Sequence, residues 1–402
     1  MKVKAPKLRF PEFSIDYSTK NISDIANRVI NPVLVEDGVE YTEIGIRSHG
    51  RGIFHKKKTT SVDIGNKRVF WIEPNLFIVN IVFAWEQAIA VTSEKEVGKI
   101  ASHRFPMFKA SKEEVSTEYL HRFFLTKRGK HLLGLASPGG AGRNKTLGQK
   151  EFEKLKVKLP EVKEQNKVTS FLSTVDKKIS LLKQKHEKLV LYKKGIMQQL
   201  YSQQLRFKDD EGQGFPDWHV KKLGKITSKT GKKNKDGTSY PVYSINNKEG
   251  FLPQSDQFEG MNSEERGFDI SMYKIVEKNT FAYNPARINV GSIGFSGELE
   301  NIIVSSLYVC FQTKSELSDR YLMAYLDTYD FNKSVLRNAE GGVRQYLFYE
   351  NFCNIRIPLP GLDEQNKIAD FLDSIDQKIN LAKQQIAQTQ AYKQGLLQQM
   401  FV

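Results

Sequence analysis

An internal repeat limits the folds that are open to this chain. Residues 157–202 and 357–402 align without a gap at an offset of 200 residues and are identical at 19 of 46 positions. Similarity at a fixed spacing is the signature of a duplicated architecture. A length of 402 residues also exceeds what one ordinary hydrophobic core serves. The sequence therefore predicts two copies of one structural unit.

Weaker similarity extends the duplication into the rest of each half. The matching pairs are Leu8-Arg9-Phe10 with Leu205-Arg206-Phe207, Tyr41, Ile44 and Ile46 with Tyr240, Tyr243 and Ile245, Gly139-Gly140 with Gly341-Gly342, Leu147 with Leu347, Phe152 with Phe352, and Leu159-Pro160 with Leu359-Pro360. We accordingly divide the chain into a globular domain at 1–160, a helical region at 161–204, a second globular domain at 205–360 and a second helical region at 361–402.

Periodicity predicts that both repeated segments are long helices. Large apolar side chains recur at steps of three and four residues from Val168 to Leu200, and the stripe returns from Ile368 to Met400. About 38 residues at roughly 1.5 Å per residue make a helix on the order of 55 Å long. Such a stripe needs a partner helix, and we expect the two copies to pack antiparallel as a coiled-coil spacer with internal pseudo-twofold symmetry. Gly195 and Gly395 interrupt the pattern, which indicates either close helix approach or a local break.

The two globular segments have the composition of mixed α/β domains, so the fold class is α+β. Short runs rich in β-branched and aromatic residues, such as 69–72 and 273–276, predict strands. One or two helical stretches are expected late in each copy, such as 117–130 and 317–336. The apolar run 77–91 contains polar residues and is too short to span a membrane, so we interpret it as buried strands.

The charge distribution points to a polyanionic partner. The net charge is +15, and residues 1–160 carry 28 Lys and Arg against 17 Asp and Glu, whereas residues 201–402 carry 24 against 25. In that neutral half, a lysine-rich run around Gly231 includes Lys232 and Lys233, which either follow a phosphate backbone or form a solvated loop. The two cysteines indicate neither a disulfide framework nor a zinc site, and they fit a reducing cytoplasm.

The motif content favours a binding protein over an enzyme. The sequence contains no GxxxxGK[ST] phosphate loop, and its seven histidines do not form a metal-binding pattern. Tyr283-Asn284-Pro285-Ala286 shares part of the Asn-Pro-Pro-aromatic motif of adenine methyltransferases, but it lacks the second proline and the aromatic residue. We interpret it as a turn between strands. The open alternatives are a stand-alone methyltransferase or nuclease, and a coiled-coil scaffold without DNA affinity.

The duplicated blocks LPxxxEQNKIxxFLxxxDxKI and YKxGLLQQ, at Leu359–Ile379 and Tyr392–Gln399 with their first-half copies, resemble the specificity subunit of Type I restriction-modification systems. The resemblance spans the chain and implies that the globular domains are target-recognition domains for a split, asymmetric DNA sequence. It also implies that the helices dock two methyltransferase subunits, which restriction subunits join. S-adenosylmethionine, ATP and Mg²⁺ are then expected on those partners, and this chain is expected to bind no cofactor or metal and to perform no catalysis.

Loops at matched positions are the predicted DNA contacts. Arginine pairs well with guanine and asparagine with adenine at base edges in the major groove. The predicted DNA-binding residues are Arg47, Ser48, His49, Arg51, Arg143, Asn144, Lys145, Lys232, Lys233, Asn246, Asn247, Lys248, Arg287, Arg344, Gln345 and Tyr346. For each of them an ordinary surface role is the alternative. The helix stripes supply the predicted subunit-interface residues, which are Phe171, Val175, Ile179, Leu182, Phe371, Ile375, Ile379 and Tyr392.

Overall fold

A computed structural model describes residues 6–139, 145–247, 249–256, 267, 269–342 and 345–402. The chain divides into two compact units, of which unit 1 comprises Met1–Gln184 with Lys383–Val402 and unit 2 comprises Lys185–Ala382. Each unit therefore combines one globular region, the first part of the helix that follows it, and the last part of the other long helix.

Short strands and helices build the globular region of unit 1. Its strands are β1 (Ser18–Asn21), β2 (Ala26–Val29), β3 (Tyr41–Ile46), β4 (Ile53–Thr59), β5 (Val69–Trp71), β6 (Phe77–Val79), β7 (Ile89–Val91), β8 (Ile100–Ser102), β9 (Met107–Ala110) and β10 (Lys156–Leu159). Its helices are α1 (Ile22–Ile25), α2 (Ser61–Ile64), α3 (Thr117–Phe124), α4 (Lys127–Leu135) and α5 (Gln149–Glu153), and the long helix α6 (Val162–Tyr201) follows.

Unit 2 contains a second set of similar elements. Its strands are β11 (His219–Lys222), β12 (Thr227–Thr230), β13 (Val242–Asn246), β14 (Gly250–Pro253), β15 (Lys274–Val276), β16 (Phe281–Tyr283), β17 (Ile293–Phe295), β18 (Ile302–Val304), β19 (Val309–Thr313) and β20 (Arg356–Leu359). Its helices are α7 (Leu223–Ile226), α8 (Asp319–Leu326), α9 (Tyr329–Asn338) and α10 (Tyr349–Phe352), and the long helix α11 (Leu362–Gln399) follows.

The sheet topology of unit 1 is repeated in unit 2. Unit 1 has sheets of order β4-β3-β8-β5, β2-β9-β6-β7 and β1-β10, and unit 2 has β14-β13-β18-β15, β12-β19-β16-β17 and β11-β20. In both units one pair is parallel, β3 with β8 and β13 with β18, and the other described pairs are antiparallel. The predicted α+β class and the predicted duplication are thus confirmed.

The core of each unit lies on both faces of a central sheet. In β6 the side chains of Phe77 and Val79 join the cluster beneath the helices, whereas Ile78 joins the cluster between the two larger sheets. This alternation follows from the two-residue period of a strand. In β16, Phe281 and Ala282 divide between the corresponding two clusters in the same way.

The predicted helical stretches at 117–130 and 317–336 are each divided into two helices, which fits the expectation of one or two helical stretches late in each copy. Thr126 begins α4 and Thr328 begins α9, and in each case the threonine hydroxyl accepts a hydrogen bond from a backbone N–H of the new first turn, at 3.0 Å from Gly129 N and 3.2 Å from Phe331 N. A threonine in this N-cap role starts a helix rather than continuing one.

The long helices pair antiparallel, as predicted. In unit 1 the start of α6, with Leu172, shares a core with the end of α11, with Leu396. In unit 2 the end of α6, with Leu200, shares a core with the start of α11, with Leu372. Lys393 Nζ lies 2.6 Å from Asp176 Oδ1 in unit 1, and Lys193 Nζ lies 2.8 Å from Asp376 Oδ1 in unit 2.

Neither predicted explanation for the two helix glycines holds. Both helices continue past these residues, α6 to Tyr201 and α11 to Gln399. A Cβ at Gly195 would have no atom within 4 Å, and one at Gly395 would meet only the end of the flexible Gln399 side chain at 4.0 Å. Glycine is therefore not required there by close packing.

A buried carboxylate at the start of each long helix holds the segment that precedes the domain. In unit 1, Arg9 Nε and Nη2 donate to the two oxygens of Glu164 at 2.9 and 2.7 Å, and the carboxylate is almost fully buried. In unit 2, Arg206 makes the same bidentate contact with Glu364 at 3.2 and 2.9 Å. The repeated Leu-Arg-Phe motif is thereby explained as structural, since bidentate arginine is the partner that such a carboxylate needs.

The glutamine that follows each glutamate ties the long helix to its domain. Gln165 Nε2 donates to the carbonyls of Glu114 and Pro160 at 3.0 and 2.9 Å, and its Oε1 accepts from Ser116 N at 2.9 Å. Gln365 makes the matching contacts with Glu316, Pro360 and Ser318. Ser116 and Ser318 precede α3 and α8, so one buried amide fixes the helix positions in each copy.

Candidate nucleic-acid interface

A turn after β6 is the structural centre of the predicted site in unit 1. We call residues 80–87 anchor turn 1. Asn80 Oδ1 accepts from Val82 N at 3.1 Å, and the turn ends at Gln87, whose φ is 59°. Gln87 Nε2 donates to the Phe124 carbonyl at 2.8 Å, which joins the turn to the junction between α3 and α4.

The loop between β3 and β4 docks on anchor turn 1. His49 N and Gly50 N donate to the carbonyls of Glu86 and Gln87 at 2.7 and 3.0 Å, and Ser48 Oγ donates to the Glu86 carboxylate at 2.9 Å. Gly50 has a φ of +64°, and an added Cβ would lie 2.3 Å from a Leu125 methyl group. These contacts fix the backbone of the predicted base-reading loop.

Three predicted side chains remain exposed on that fixed loop: Arg47, His49 and Arg51. The Arg47 guanidinium lies 4.7 Å from the centroid of the Phe54 ring, and its Nη1 donates to the Ile53 carbonyl at 3.5 Å, so two contacts orient this exposed side chain. Ser48, by contrast, is used in holding the loop, through its bond to Glu86.

Lys145 lies beside the same turn, with Nζ 5.7 Å from the centroid of the Trp85 ring. The segment that follows is also fixed there, because Leu147 N donates to the Ile81 carbonyl at 2.8 Å. The structure therefore brings Lys145 and the β3–β4 loop to one turn. The predicted residues Arg143 and Asn144 lie outside the described residues.

Sequence reasoning missed a basic helix end beside this loop. At the start of α4, the side chains of Lys127, Arg128, Lys130 and His131 are exposed. A Cβ at Gly129 would lie 2.3 Å from the Phe123 carbonyl oxygen, so glycine allows α4 to pack closely against α3. The signal available in the sequence was a basic run directly after the N-cap Thr126, which the prediction of one continuous stretch at 117–130 concealed.

Unit 2 contains the equivalent anchor turn 2, residues 284–291. Asn284 Oδ1 accepts from Ala286 N at 3.0 Å, as Asn80 does in unit 1, so Tyr283-Asn284-Pro285-Ala286 forms the predicted turn. Ser292 Oγ, directly after the turn, donates to the Ile245 carbonyl at 2.9 Å. This bond places the end of β13, with the predicted residues Asn246 and Asn247, beside anchor turn 2.

The remaining predicted residues of unit 2 fall partly at this turn. Arg287 is exposed on it. Leu347 N donates to the Pro285 carbonyl at 3.0 Å, which brings the exposed Gln345 and its neighbour Tyr346 to the same place. The Tyr346 ring stacks on Phe348 at a centroid distance of 5.8 Å. Lys248 and Arg344 lie outside the described residues.

Lys232 and Lys233 lie elsewhere in unit 2. Their segment runs along β15, where Ile275 N donates to the Lys232 carbonyl at 2.8 Å. This edge is opposite β14 in the sheet, whereas Asn246 and Asn247 lie between β13 and β14. Both lysines are exposed. The structure thus divides the predicted residues of unit 2 between an anchor-turn group and a separate sheet edge.

Several predicted subunit-interface residues are covered by this chain itself. Val175, Ile179 and Ile375 are buried in the cores of their own units, at 8, 9 and 2% exposure. Phe171 packs edge-to-face on Phe10, and Phe371 on Phe207. The three buried residues pack within this chain, and their intersubunit role stays a prediction; Ile379 and Leu182 are partly buried. Tyr392 is 55% exposed and is available to a partner.

The structure also bears on metal and membrane sites. In the part of the chain that the structure describes, no group of three or more His, Cys, Asp or Glu side chains is arranged to hold a metal ion. Within the same residues, no helix combines the length and apolar character needed to cross a membrane.

Comparison with known proteins also finds two copies of one domain in this chain. The family model of the Type I restriction modification DNA specificity domain matches twice, at residues 19–191 and 217–391. Two relatives from Methanocaldococcus jannaschii are the Type I restriction enzyme MjaVIII specificity subunit, 25% identical over 84% of this chain and 80% of the relative, and the putative MjaX specificity subunit, 23% identical over 76% and 75%.

Solved structures show the same fold. The HsdS subunit from Thermoanaerobacter tengcongensis aligns over 97% of this chain and 98% of its own, with a TM-score of 0.55 at 16% identity. The S subunit of the Type I system from M. genitalium aligns over 99% of both chains, with a TM-score of 0.55 at 14% identity. The two family matches together cover most of the residues, and the chain therefore belongs to the Type I restriction-modification DNA specificity family.

Proposed function

We propose that this specificity subunit recognises a bipartite, asymmetric DNA target, with one half of the target read at each anchor turn. The observation that carries the proposal is the repetition of one loop-holding arrangement with different exposed side chains. In both units a turn after the central strand holds the end of one strand and the segment before α5 or α10. The asparagine that caps the turn and the backbone bond to the segment before α5 or α10 are shared, whereas the outward side chains differ, as two different half-sites require.

In unit 1 the exposed groups favour guanine and phosphate. Arg47 and Arg51 lie on a loop whose backbone is fixed at His49 and Gly50, so their guanidinium groups extend from a rigid base. Bidentate pairing of arginine with guanine O6 and N7 is the commonest specific contact in the major groove. Lys145 and the start of α4 add cations that suit the neighbouring phosphates.

In unit 2 the groups beside the turn favour adenine and stacking contacts. The half-buried Asn246 and the exposed Asn247 lie where Arg47 and Ser48 lie in unit 1, and asparagine pairs with adenine N6 and N7. Arg287 is available for a phosphate or a guanine. The unlike chemistry of the two turns supports an asymmetric target.

We further propose that two methyltransferase subunits dock on the long helices and that restriction subunits join this core. Four exposed apolar residues support two equivalent docking sites. They occupy repeated positions in the two helices: Leu181 with Leu381, at 55 and 53% exposure, and Tyr192 with Tyr392, at 51 and 55%. Exposed apolar groups at repeated positions suit two copies of one partner. The partner subunits then bind S-adenosylmethionine, ATP and Mg²⁺, and this chain supplies no catalytic group.

The test is to express the chain with its methyltransferase and to map methylated adenines by sequencing. We expect Arg47→Ala with Arg51→Ala to change the bases required in one half of the target only. Asn246→Ala with Asn247→Ala is expected to change the other half only. Lys154→Ala is the control, since this exposed lysine pairs with Glu151 at 3.1 Å and lies outside both anchor turns.

If either double variant alters both halves, or if both leave the methylated sequence unchanged, the assignment of one half-target to each anchor turn is wrong. Loss of all methylation in a variant is resolved by co-purification, because a folded complex that no longer recognises its target still retains the methyltransferase.

A further inference from the structure

The two-stranded sheet of unit 2 carries an unusual pair of like charges. In the β11–β20 register, Lys222 lies directly opposite Arg356, and both side chains are exposed. Like charges directly opposite each other on adjacent strands destabilise a sheet. A negative charge close to both side chains would offset this repulsion.

No carboxylate of the chain supplies that charge in the region the structure describes. Lys222 Nζ makes a hydrogen bond only to the neutral Asn354 amide oxygen, at 3.3 Å. Neither Lys222 nor Arg356 takes part in an ion pair among the described residues. The neighbouring Lys221, in contrast, is neutralised by Glu316. Two cations are thus left facing solvent side by side.

A third cation extends the group. Lys225 in α7 is exposed, and it lines an open cleft of about 470 Å³ together with Lys222, Arg356, Val220 and Lys221. The lining contains no acidic residue. Residues 201–402 carry 24 Lys and Arg against 25 Asp and Glu, so this cluster is a local feature of a neutral half.

The equivalent place in unit 1 is built differently. There Asn21 lies opposite Lys156 in the β1–β10 register. Asp24, at the position of Lys225, accepts hydrogen bonds from the backbone N–H and the side-chain amide of Asn21, each at 3.0 Å. The β1–β10 sheet of unit 1 therefore has an aspartate at this position, whereas the β11–β20 sheet of unit 2 has a lysine there. The fold needs no basic cluster at this place.

We infer that Lys222, Lys225 and Arg356 bind the phosphodiester backbone of duplex DNA at a surface separate from anchor turn 2. The inference rests on the proposed function, because it assigns a second contact to the same DNA ligand. The cleft is open, and its cations lie on long flexible side chains, which suits successive phosphates along a strand better than one enclosed small anion. Such contacts add affinity without base preference.

The test compares three full-length variants with the parent protein on duplex DNA of mixed sequence, by fluorescence anisotropy over a series of KCl concentrations. One carries Lys222→Gln, Lys225→Gln and Arg356→Gln. The matched control carries Lys58→Gln, Lys154→Gln and Lys278→Gln, which removes the same formal charge from exposed lysines that pair with carboxylates. The third carries Lys222→Arg, Lys225→Arg and Arg356→Lys, which keeps the charge.

We expect the first variant to bind DNA roughly tenfold more weakly at low salt and to lower the salt-dependence slope by about 0.9 for each phosphate that it no longer neutralises. The control and the charge-preserving variant are expected to match the parent protein. An unchanged slope in the first variant, or an equal loss of affinity in the control, overturns the inference. Failure of the parent protein itself to bind DNA contradicts the proposed function instead.

Two further measurements distinguish other ligands. If inorganic phosphate raises the thermal stability of the parent protein but not of the first variant, and the DNA slope is unchanged, the cleft binds a small anion and the inference is wrong. If the first variant loses its co-purifying methyltransferase while its DNA slope is unchanged, the cleft binds an acidic protein surface and the inference is equally wrong.

Discussion

The two anchor turns share their architecture and differ in their chemistry. In both, an asparagine side chain caps the turn, at 3.1 Å in unit 1 and 3.0 Å in unit 2, and a backbone N–H from the segment ahead of the next helix bonds to the turn. Around anchor turn 1 the exposed side chains are mostly basic, whereas asparagine and aromatic side chains surround anchor turn 2. Groups that hold the loops are thus shared, and groups that face outward are free to differ.

The difference between the two units also reaches a buried position in the helix after the threonine N-cap. Gly129 and Phe331 are both the third residue of the helix that begins at a threonine N-cap. In unit 1, glycine lets α4 approach the Phe123 carbonyl closely, whereas in unit 2 the Phe331 ring is buried at 1% exposure between the helices. The exposed residues that follow therefore lie on helices whose first turns pack differently in the two units.

The largest loss of stability is expected at the buried glutamate that the two units share. Glu364→Ala leaves the Arg206 guanidinium and the Trp218 indole without their buried acceptor. Removing one partner of a buried ion pair typically costs about 3–5 kcal/mol of unfolding free energy. Urea denaturation followed by circular dichroism measures the loss, and Glu164→Ala is expected to cost a similar amount in unit 1.

Asp363→Ala is the matched control for that prediction, because this neighbouring carboxylate is exposed. A loss below about 1 kcal/mol for both glutamate variants would show that neither carboxylate stabilises its own unit as a buried ion-pair partner.

The next largest effect is a difference between the two units in how their stability depends on pH. Burial, and then the neighbouring Arg122 charge, lowers the pKa of His121 in α3 to about 4. The unfolded chain then binds the proton more readily, so unit 1 loses stability as the pH falls from about 6.5 towards 4, by at most about 3 kcal/mol. The equivalent residue of α8 is Met323, which does not titrate. Thermal melting between pH 7 and pH 4.5 measures the loss.

His121→Met supplies the control for the pH dependence. This variant is expected to melt with a weaker dependence on pH over the same range, and the difference from the parent protein isolates the histidine. Identical curves for the two proteins would exclude His121 as the source of acid sensitivity.

A smaller loss is expected from Gly129→Ala. The added Cβ would lie 2.3 Å from a backbone oxygen, so α4 has to move away from α3. Overpacking of this kind typically costs about 1–3 kcal/mol. Because α4 adjoins the β3–β4 loop, we also expect altered recognition of the half-target assigned to unit 1, measured by methylome sequencing. Gly134→Ala, in the same helix with open space at its Cβ, is the control. Equal effects of the two substitutions would contradict the close-packing argument.

The smallest effect concerns affinity alone. Lys127→Gln, Arg128→Gln and Lys130→Gln remove three exposed cations from α4. We expect roughly tenfold weaker binding to duplex DNA, about 1.4 kcal/mol, with a lower salt-dependence slope. The corresponding change in unit 2, Lys333→Gln with Arg337→Gln, removes the two cations of α9 and is expected to weaken binding less for each charge removed, since α9 begins with Tyr329 and Asp330. A larger loss from the α9 variant would reverse the proposed difference between the two surfaces.

Much of the architecture could be predicted from local sequence. The stripe from Val168 to Leu200 and its copy identified the long helices, because a periodic apolar face needs no knowledge of distant residues. The break between α3 and α4 was missed because Thr126 lies in an otherwise helical pattern, and its capping role depends on the new direction that α4 takes. The exposed basic face of α4 was hidden for the same reason.

Residue order alone shows that the chain is duplicated, that each copy ends in a long amphipathic helix, and that the copies share Arg, Glu and Gln at matched positions, because repeats and periodicity are properties of the sequence. Tertiary structure decided that the glutamate is buried against the arginine and that the glutamine joins the helix to the domain. It also decided that loops distant in sequence meet at Asn80–Gln87 and Asn284–Gly291. Those contacts join residues dozens of positions apart, and only the folded sheet brings them within hydrogen-bonding distance.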